Sequence, residues 1–355
     1  MNIVVLMGGV SAERVISFKS GFAVAQALAL KGHAVIALDA ADGSVVDVSG
    51  PPPVASRTPE EEQHSAYGAL AGGTAATTTK LDTLTTTKLN TLAFLHSPAL
   101  AEADVVFNAL HGGTGENGAI AAVLQMAGKL CTSAGPLASA IAMDKAMAKR
   151  LMEYHHLPNA PWHLFSAKAL GGRWPTLAEC APLALPLVVK PNSEGSSVGL
   201  TIVRDVSELA SAFAKAAGCE DAILVEQFIA GRELTVAVLD GEALPVVEIV
   251  PHSGTYDYEA KYTKGKSRYD CPADLDDATT RHLQRDAVQL CDALGLQGIA
   301  RVDFRLGLDG VGYILEANTV PGLTETSLVP MAGRAAGIDF ADLMERVVQG
   351  ALARR

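Results

Sequence analysis

An α/β first half followed by a predominantly antiparallel α+β second half is the fold class this sequence predicts. Three observations carry that expectation. Residues 3–38 run from an apolar stretch through a helical pattern to a second apolar stretch, the order of a βαβ unit with a parallel sheet. The stretch "ELTVAVLDGEALPVVEIV" reads as a hairpin turning at Asp240-Gly241. "ARVDFRLGLDGVGYILEANTVPG", residues 300–322, reads as two further strands joined at Asp309-Gly310. This mixture argues against one continuous doubly wound sheet. A chain of 355 residues exceeds one ordinary core, so two or three domains are expected.

The first strand, Ile3 to Met7, runs into Gly8-Gly9, and a helical pattern follows from about Ser11 to Leu30. A second strand covers His33 to Leu38. Residues 41–76, rich in Pro, Gly, Ser and Ala, read as a loop or insertion. Two copies of an eight-residue repeat, "TTTKLDTL" and "TTTKLNTL" at 77–92, favour extended structure and read as a local duplication without catalytic duty. "ADVVFNAL" resumes the sheet, followed by the turn "HGGTGENG" and a helix at about 119–127. A helix begins near Asp144 and ends near His155, and strands at 185–190 and 199–203 flank "NSEGSSV". After a helix from about Ser207 come "AILVEQF", the first hairpin, a polar loop at 251–272, a helix over roughly 275–294, the second hairpin and a closing helix from Asp339.

Hydrophobic residues at 49% describe a packed chain rather than a disordered one. The 28 basic and 39 acidic residues leave a net charge of −11, with no Lys/Arg run able to track a phosphodiester backbone. Nucleic acid is therefore not an expected partner, and single cations gain importance for any anionic ligand. The five cysteines are scattered without a C-x-x-C pair, as for reduced thiols in the cytosol. "MNIVVLMGGV" lacks a basic n-region and reads as a buried strand, not a signal peptide. No apolar run approaches the ~18 residues that span a bilayer. A soluble intracellular protein is expected.

The second hairpin carries the strongest chemical signal. With a tight turn at Asp309-Gly310, Asp303 faces Glu316 and Arg301 faces Asn318. All four alternate with Val302, Phe304, Leu315 and Ala317, and so share one face. Opposed carboxylates repel. Three oxygen donors without His or Cys, namely Asp303, Glu316 and Asn318, suit Mg²⁺ or Mn²⁺ rather than zinc. A solvated strand face and a general acid/base carboxylate pair stay open as alternatives. Asn318 counts against the second, because an amide ligates a metal but shuttles no proton.

Magnesium held by few protein ligands commonly completes its octahedron with phosphate oxygens. That directs attention to "VVKPNSEGSSVGL" at 188–200, which has glycines, serines and Lys190 but no G-K-[ST] ending of a P-loop. It is strand, loop, strand. Gly195 and Gly199 would let a hairpin tip bring backbone N–H groups against phosphates, with Lys190 aimed at the same charge. A flexible exposed turn is the competing reading.

These residues resemble the ATP-grasp superfamily, and closely the D-alanine–D-alanine ligases. The resemblance rests on "MGGVSAERVIS" at 7–17, "HGGTGENG" at 111–118, "AMDK" at 142–145, "VVKPNSEGSSVGL", "VEQFIAGRELTVAVL" at 225–239, "GTYDYEAKY" at 254–262, "RVDF" and "LEANTVPGLTETSLVP". It spans nearly the whole chain in order, apart from roughly 41–100. It implies a three-domain ATP-grasp protein: an N-terminal α/β domain at 1–134 with an insertion at about 41–100, a central ATP-grasp domain at 135–225, and a C-terminal catalytic domain at 226–355. ATP would be clamped between the two largely antiparallel domains. The implied reaction is ATP-dependent joining of two D-alanines through an acyl phosphate, for peptidoglycan precursors in the bacterial cytoplasm. ATP, Mg²⁺ or Mn²⁺ (two ions) and a homodimer are implied as well.

Residue by residue, the resemblance assigns Lys145 and Lys190 to the ATP phosphates. Glu226 and main-chain groups at Gln227 and Ile229 go to adenine, Glu233 to the ribose, and Asp303, Glu316 and Asn318 to magnesium. Arg301 and the N–H of Gly322 match oxyanion donors. Glu13 matches the anchor of the first substrate's ammonium; from its position alone it reads equally as an acid in a first helical turn. Lys261, Ser327 and the Leu328 backbone match the site of the second substrate's carboxylate. His111, at a strand end before glycines, is expected to be exposed and substrate-binding, or else a hydrogen-bonded turn residue. Ser196 and Tyr262 match a hydrogen-bonded group with Glu13, and tyrosine in "EAKYTKG" favours amide over ester products. D-Serine or D-lactate as second substrate, or a non-catalytic nucleotide-binding regulator, remain alternatives, while "MGGVSAER" is no G-x-G-x-x-G. Asn117 replaces an acid common in the family.

Overall fold

The computed structural model describes residues 1–52, 92–251, 266–324 and 326–354. Nearly all of the threonine repeat, 77–91, lies outside the described residues. The chain divides into two compact units: Met1–Ser139 with Leu296–Ala300 and Thr319–Arg355, and Ala140–Gly295 with Arg301–Asn318. Among the described residues, no helix is long and apolar enough to cross a membrane.

The first unit is organised by β1 (Asn2–Met7), whose residues from Ile3 onward are buried on both faces, as a central parallel strand requires. It pairs in parallel with β2 (Ala34–Asp39), in register from Asn2↔Ala34 to Met7↔Asp39. The segment expected to be loop from 41 contributes a short edge strand, β3 (Val45–Val46), antiparallel to β2. On the other side lies β4 (Val105–Asn108), giving the order β3-β2-β1-β4. The crossover helix α1 (Arg14–Leu30) starts three residues later than expected. Ser11 does not enter the helix because its hydroxyl donates to the His111 carbonyl at 2.6 Å, holding 8–13 as a loop. A Cβ at Gly21 would lie 2.5 Å from that of Met7, so only glycine permits this approach of α1 to β1. After α2 (Pro98–Ala101) and α3 (Ala119–Met126), the closing helix of this unit buries Leu343, Met344, Val347, Val348 and Ala351 along one stripe.

The second unit contains two sheets among its described residues. It opens with α4 (Pro136–Met143, shared with the first unit's end) and α5 (Lys145–Tyr154). Strands β5 (Trp162–Ser166), β6 (Leu187–Pro191), β7 (Thr201–Val203) and β8 (Ala222–Gln227) pair antiparallel in the order β5-β8-β6-β7. Helix α6 (Leu209–Ala217) packs Phe213 and Ala212 into their core with Val189 and Val225. The second sheet runs β12-β11-β9-β13-β14, formed by β9 (Gly231–Leu239), β11 (Val247–Pro251), β12 (Ser267–Asp270), β13 (Ile299–Gly307) and β14 (Gly312–Asn318), with β10 (Glu242–Ala243) on β9. Asp240 and Gly241 both have positive φ (48° and 84°), the geometry that a two-residue hairpin between twisted strands requires. β12 falls inside the expected polar loop. "SRYD" has little strand signal of its own, and its pairing with β11, Ile249 opposite Tyr269, decides the matter. α7 (Asp277–Leu294), α8 (Leu328–Ala335) and α9 (Phe340–Ala353) complete the helices after that point, and Asp276 and Asp339 cap the first and last of them.

The hairpin β13–β14 has the expected pairing at the site and an unexpected turn. Asp303 faces Glu316 and Arg301 faces Asn318, but Leu306 faces Gly312, one residue out of step. The connection is longer than two residues: Gly307 N–H donates to the Val311 carbonyl and Gly310 N–H to the Gly307 carbonyl. A bulge at Leu315 restores the register. Leu315 is therefore the half-buried extra residue, and Ile314 takes the inward position expected of it. Gly231 begins β9 at φ +149°, where an added Cβ would lie 1.9 Å from the Leu306 carbonyl oxygen. Gly231→Ala is expected to destabilise the chain by about 3 kcal/mol, read as a lowered urea midpoint at unchanged slope.

Candidate active site

In the second unit a set of ion pairs links α5 to both sheets. Asp144 caps α5 through the Met147 N–H and accepts from Asn192 Nδ2 at 2.8 Å. Asn192, just after β6, accepts in turn from the Ala146 N–H at 2.8 Å. "AMDK" and "KPN" are thus clasped together. Lys145 Nζ donates to the Glu194 carbonyl at 2.7 Å and lies 3.3 Å from Glu316 Oε2 on β14. Lys190 Nζ lies 2.5 Å from Glu226 Oε2, and Lys149 Nζ lies 2.7 Å from Oε1.

The acidic face of β13–β14 is compensated by built-in cations. Arg301 grips Asp303 with two hydrogen bonds of 2.8 Å, Nε to Oδ1 and Nη2 to Oδ2. Thr235 Oγ1 donates to Asp303 at 2.6 Å and Asn318 Nδ2 at 3.0 Å. Glu316 has Lys145. The donor set is all oxygen once the Asn318 amide presents its carbonyl, and its chemistry fits a hard divalent cation. Among the described residues, no group of three His, Cys, Asp or Glu side chains could hold a metal.

Residues 192–200 connect β6 to β7 as expected, but the conformational demand falls on serines. Ser196 and Ser197 have φ of 48° and 60°, whereas Gly195 does not need its freedom. Gly199 (φ 70°) is required doubly, since a Cβ there would lie 2.6 Å from Pro191 Cγ and 2.8 Å from Cys219 Sγ. Gln227 donates its N–H to the Pro161 carbonyl and clamps Ala184 and Pro186 with its side chain. Ile229 lies in the connection between β8 and β9, and Glu233 on β9 sits 3.4 Å from Arg305 Nη2.

The first unit holds a separate cluster. Glu13, at the start of α1, is buried, and its Oε2 lies 3.0 Å from where a Cβ of Gly112 would stand. Together with the Ser11–His111 bond, this joins "VSAE" to "HGG". His111 is buried rather than exposed: its Nε2 meets the Ser20 hydroxyl at 2.8 Å, and Ser20 also accepts from the Leu323 N–H at 3.3 Å. A Cβ at Gly322 would come within 3.0 Å of Ser327 Oγ. Ser327 accepts from the Thr324 N–H at 3.1 Å, and Leu328, next in the chain, begins α8, where first-turn N–H groups lack intrahelical partners. Lys261 and Tyr262 lie outside the described residues.

Two family models cover the chain: D-Ala–D-Ala ligase N-terminus over residues 2–134, and D-Ala–D-Ala ligase C-terminus over 151–349. The chain belongs to the D-alanine–D-alanine ligase family. Similar curated proteins are D-alanine–D-alanine ligases from Syntrophotalea carbinolica (38% identical, 100% of this chain, 97% of that protein) and Pediococcus pentosaceus (40%, 99% and 97%). A third, from Bordetella petrii, is 45% identical over 71% of this chain and 77% of its own. The crystal structure of a D-alanine–D-alanine ligase from Bacillus anthracis is 26% identical with a TM-score of 0.73, covering 100% of this chain and 98% of its own. A Bacillus anthracis ligase structure complexed with ATP shares the fold at TM-score 0.73 and 24% identity, covering 99% and 97%.

In this family member the charge that the sequence reading missed is Lys149. Its one available signal is position: it stands at i+4 from Lys145, on the same side of a helix. Ser20 is a further partner outside the quoted motifs, and Asn192 and Thr235 lie within quoted motifs with no role assigned to them there. Burial alone would raise the Glu226 carboxyl, but the Lys149 and Lys190 ammonium groups outweigh it and hold it down at about 2. Burial pushes Lys149 in the direction of neutrality, opposed by the same carboxylate. Because the folded value lies below the ordinary 4.5, the stabilisation by ionised Glu226 is complete above about 4.5 and lost as pH falls toward about 2. Glu226→Gln leaves buried cations unmatched and is expected to cost about 3 kcal/mol at pH 7. In thermal melts the gap to wild type should shrink as pH falls through that window; a gap constant down to pH ~2.5 would overturn the assignment.

Proposed function

We propose that this chain is an ATP-dependent ligase that joins two D-alanine molecules to D-alanyl-D-alanine, for peptidoglycan precursors in the bacterial cytoplasm. The observation that carries the reading is the family match across essentially the whole chain together with an intact charged face at Arg301, Asp303, Glu316 and Asn318. We extend the proposal to the three domains bounded at 1–134, 135–225 and 226–355, and to a homodimer.

The carboxylate of the first D-alanine attacks the γ-phosphorus of ATP, releasing ADP and forming an acyl phosphate. Lys145 and Lys190 neutralise phosphate charge that would repel this anionic nucleophile. Asp303, Glu316 and Asn318 would hold Mg²⁺ or Mn²⁺ (two ions); bound there, the metal supplies further neutralisation of phosphate oxygens. Glu226, Ile229 and the Gln227 main chain receive the adenine, and Glu233 the ribose. The second D-alanine gives up an ammonium proton to solvent, its amine attacks the acyl carbon, and the tetrahedral intermediate expels inorganic phosphate as the nitrogen releases its remaining extra proton to solvent. Arg301 and the Gly322 N–H stabilise the oxyanion. Glu13 anchors the first ammonium, with His111 beside it, and Lys261, Ser327 and the Leu328 N–H take the second carboxylate. Ser196 and Tyr262 are assigned to loop closure, with Tyr262 favouring an amine over a hydroxy acid as second substrate.

Purified protein with ATP, Mg²⁺ and D-alanine is expected to release ADP and yield D-alanyl-D-alanine by mass analysis. Absence of nucleotide turnover with D-alanine, D-serine and D-lactate alike would sink the proposal. Asp303→Ala and Glu316→Ala should each lower turnover by about 10³-fold or more. Undiminished activity after chelation would refute the metal assignment.

A further inference from the structure

Lys149 has no part in the roles above, yet its side chain is 1% exposed and carries a charge. Its Nζ is surrounded by three oxygens: Glu226 Oε1 at 2.7 Å, the Ala160 carbonyl at 3.2 Å and Asn159 Oδ1 at 3.3 Å. The two neutral oxygens accept its hydrogen bonds, whereas the contact with Glu226 Oε1 is an ion pair, and that buried oxygen accepts no hydrogen bond among the described residues. Lys190, on the strand leading into the 192–200 loop, occupies the other oxygen of the same carboxylate at 2.5 Å. The two lysines are not equivalent. Lys149 is held from a helix by two neutral oxygens as well as by Glu226.

On the proposed function, Lys190 meets the ATP phosphates and Glu226 meets the adenine amino group. Both cannot hold while Lys190 sits on Oε2. We propose that Lys149 is a positioning residue for the nucleotide: it keeps the Glu226 carboxylate neutralised and aimed while Lys190 moves from Oε2 to the phosphates, so that Oε2 accepts from the adenine amino group. Without Lys149, the departure of Lys190 would strand a buried carboxylate, and Lys190 stays in place. Guanine presents a carbonyl where adenine has its amino group, so an ionised Glu226 also selects against GTP. The inference rests on the ATP-ligase reading.

The test is steady-state ADP release by wild type, Lys149→Met and Lys149→Met/Glu226→Gln, with ATP, GTP and D-alanine varied separately. Lys149→Met should raise KM for ATP about tenfold and lower kcat about tenfold, leaving KM for D-alanine within about twofold. The double variant gives Lys190 no carboxylate to neutralise. Its kcat should recover about fivefold over Lys149→Met while the preference for ATP over GTP falls. An unchanged KM for ATP in Lys149→Met overturns the proposal, as does an equal rise in both KM values or a double variant no faster than the single one. Should Lys149→Met fail to melt cooperatively, Lys149→Gln decides: a KM for ATP raised about fivefold or more with KM for D-alanine within about twofold supports the proposal, and any smaller rise in KM for ATP overturns it. A wild-type chain that turns over no ATP removes the ligase reading and this inference together; a wild-type-like KM for ATP in Lys149→Met removes this inference alone.

Discussion

Glu226 is buried at the end of β8 with an ammonium group against each oxygen, and the arrangement of the second unit depends on that contact. A carboxylate so placed is tolerable only if its counter-charges are fixed, because an isolated buried charge is among the most costly groups a protein can hold. The requirement ties three elements at once: β8 through Glu226, β6 through Lys190, and α5 through Lys149. α5 then passes the constraint on. Lys145, one turn before Lys149, reaches Glu316 on β14. One short helix therefore sets its two lysines against acids of two different sheets.

Legibility in the sequence followed the range of the forces involved. Where local pattern and tertiary context agree, the reading was close. The βαβ opening, the Asp240-Gly241 turn and the alternation that puts Arg301 and Asp303 on one face all follow from periods of two or from dipeptides with a steric preference. The pairing of Asp303 with Glu316 came out as expected for an incomplete reason, because the longer turn and the Leu315 bulge offset one another. Nothing in "LGLDGVG" reveals which glycine closes the turn. Lys149 was illegible for another reason. A lysine on a helix ordinarily reads as solvated, and only the fold brings Glu226, Ala160 and Asn159 around it. β12 and the burial of His111 were missed likewise, since a partner strand and the Ser20 hydroxyl decide them.

The 192–200 connection shows how a demanding backbone can be kept by its surroundings. Two consecutive serines in the left-handed region cost more than glycines would. Asn192 anchors the entry of the segment to Asp144 and Ala146, Lys145 holds the Glu194 carbonyl, and Gly199 admits the exit against Pro191 and Cys219. With both ends fixed, the middle has few alternatives. Serine in place of glycine retains two hydroxyls in this segment.

The acidic balance of the chain gives this arrangement its chemical logic. With a net charge of −11, an anionic ligand meets no general attraction, so each cation must be delivered individually. Here Lys145, Lys190 and Arg301 are already engaged with Glu316, Glu226 and Asp303. On the proposed function, phosphate binding by Lys145 and Lys190 would be an exchange of one oxyanion for another rather than the filling of free charge. An exchange keeps every buried group neutralised at each stage, and it makes affinity depend on what each abandoned carboxylate receives in return. For Asp303 and Glu316 a divalent cation would meet that need. Glu226 has Lys149 as well as Lys190, so that among the described residues one ammonium group stands against each of its oxygens.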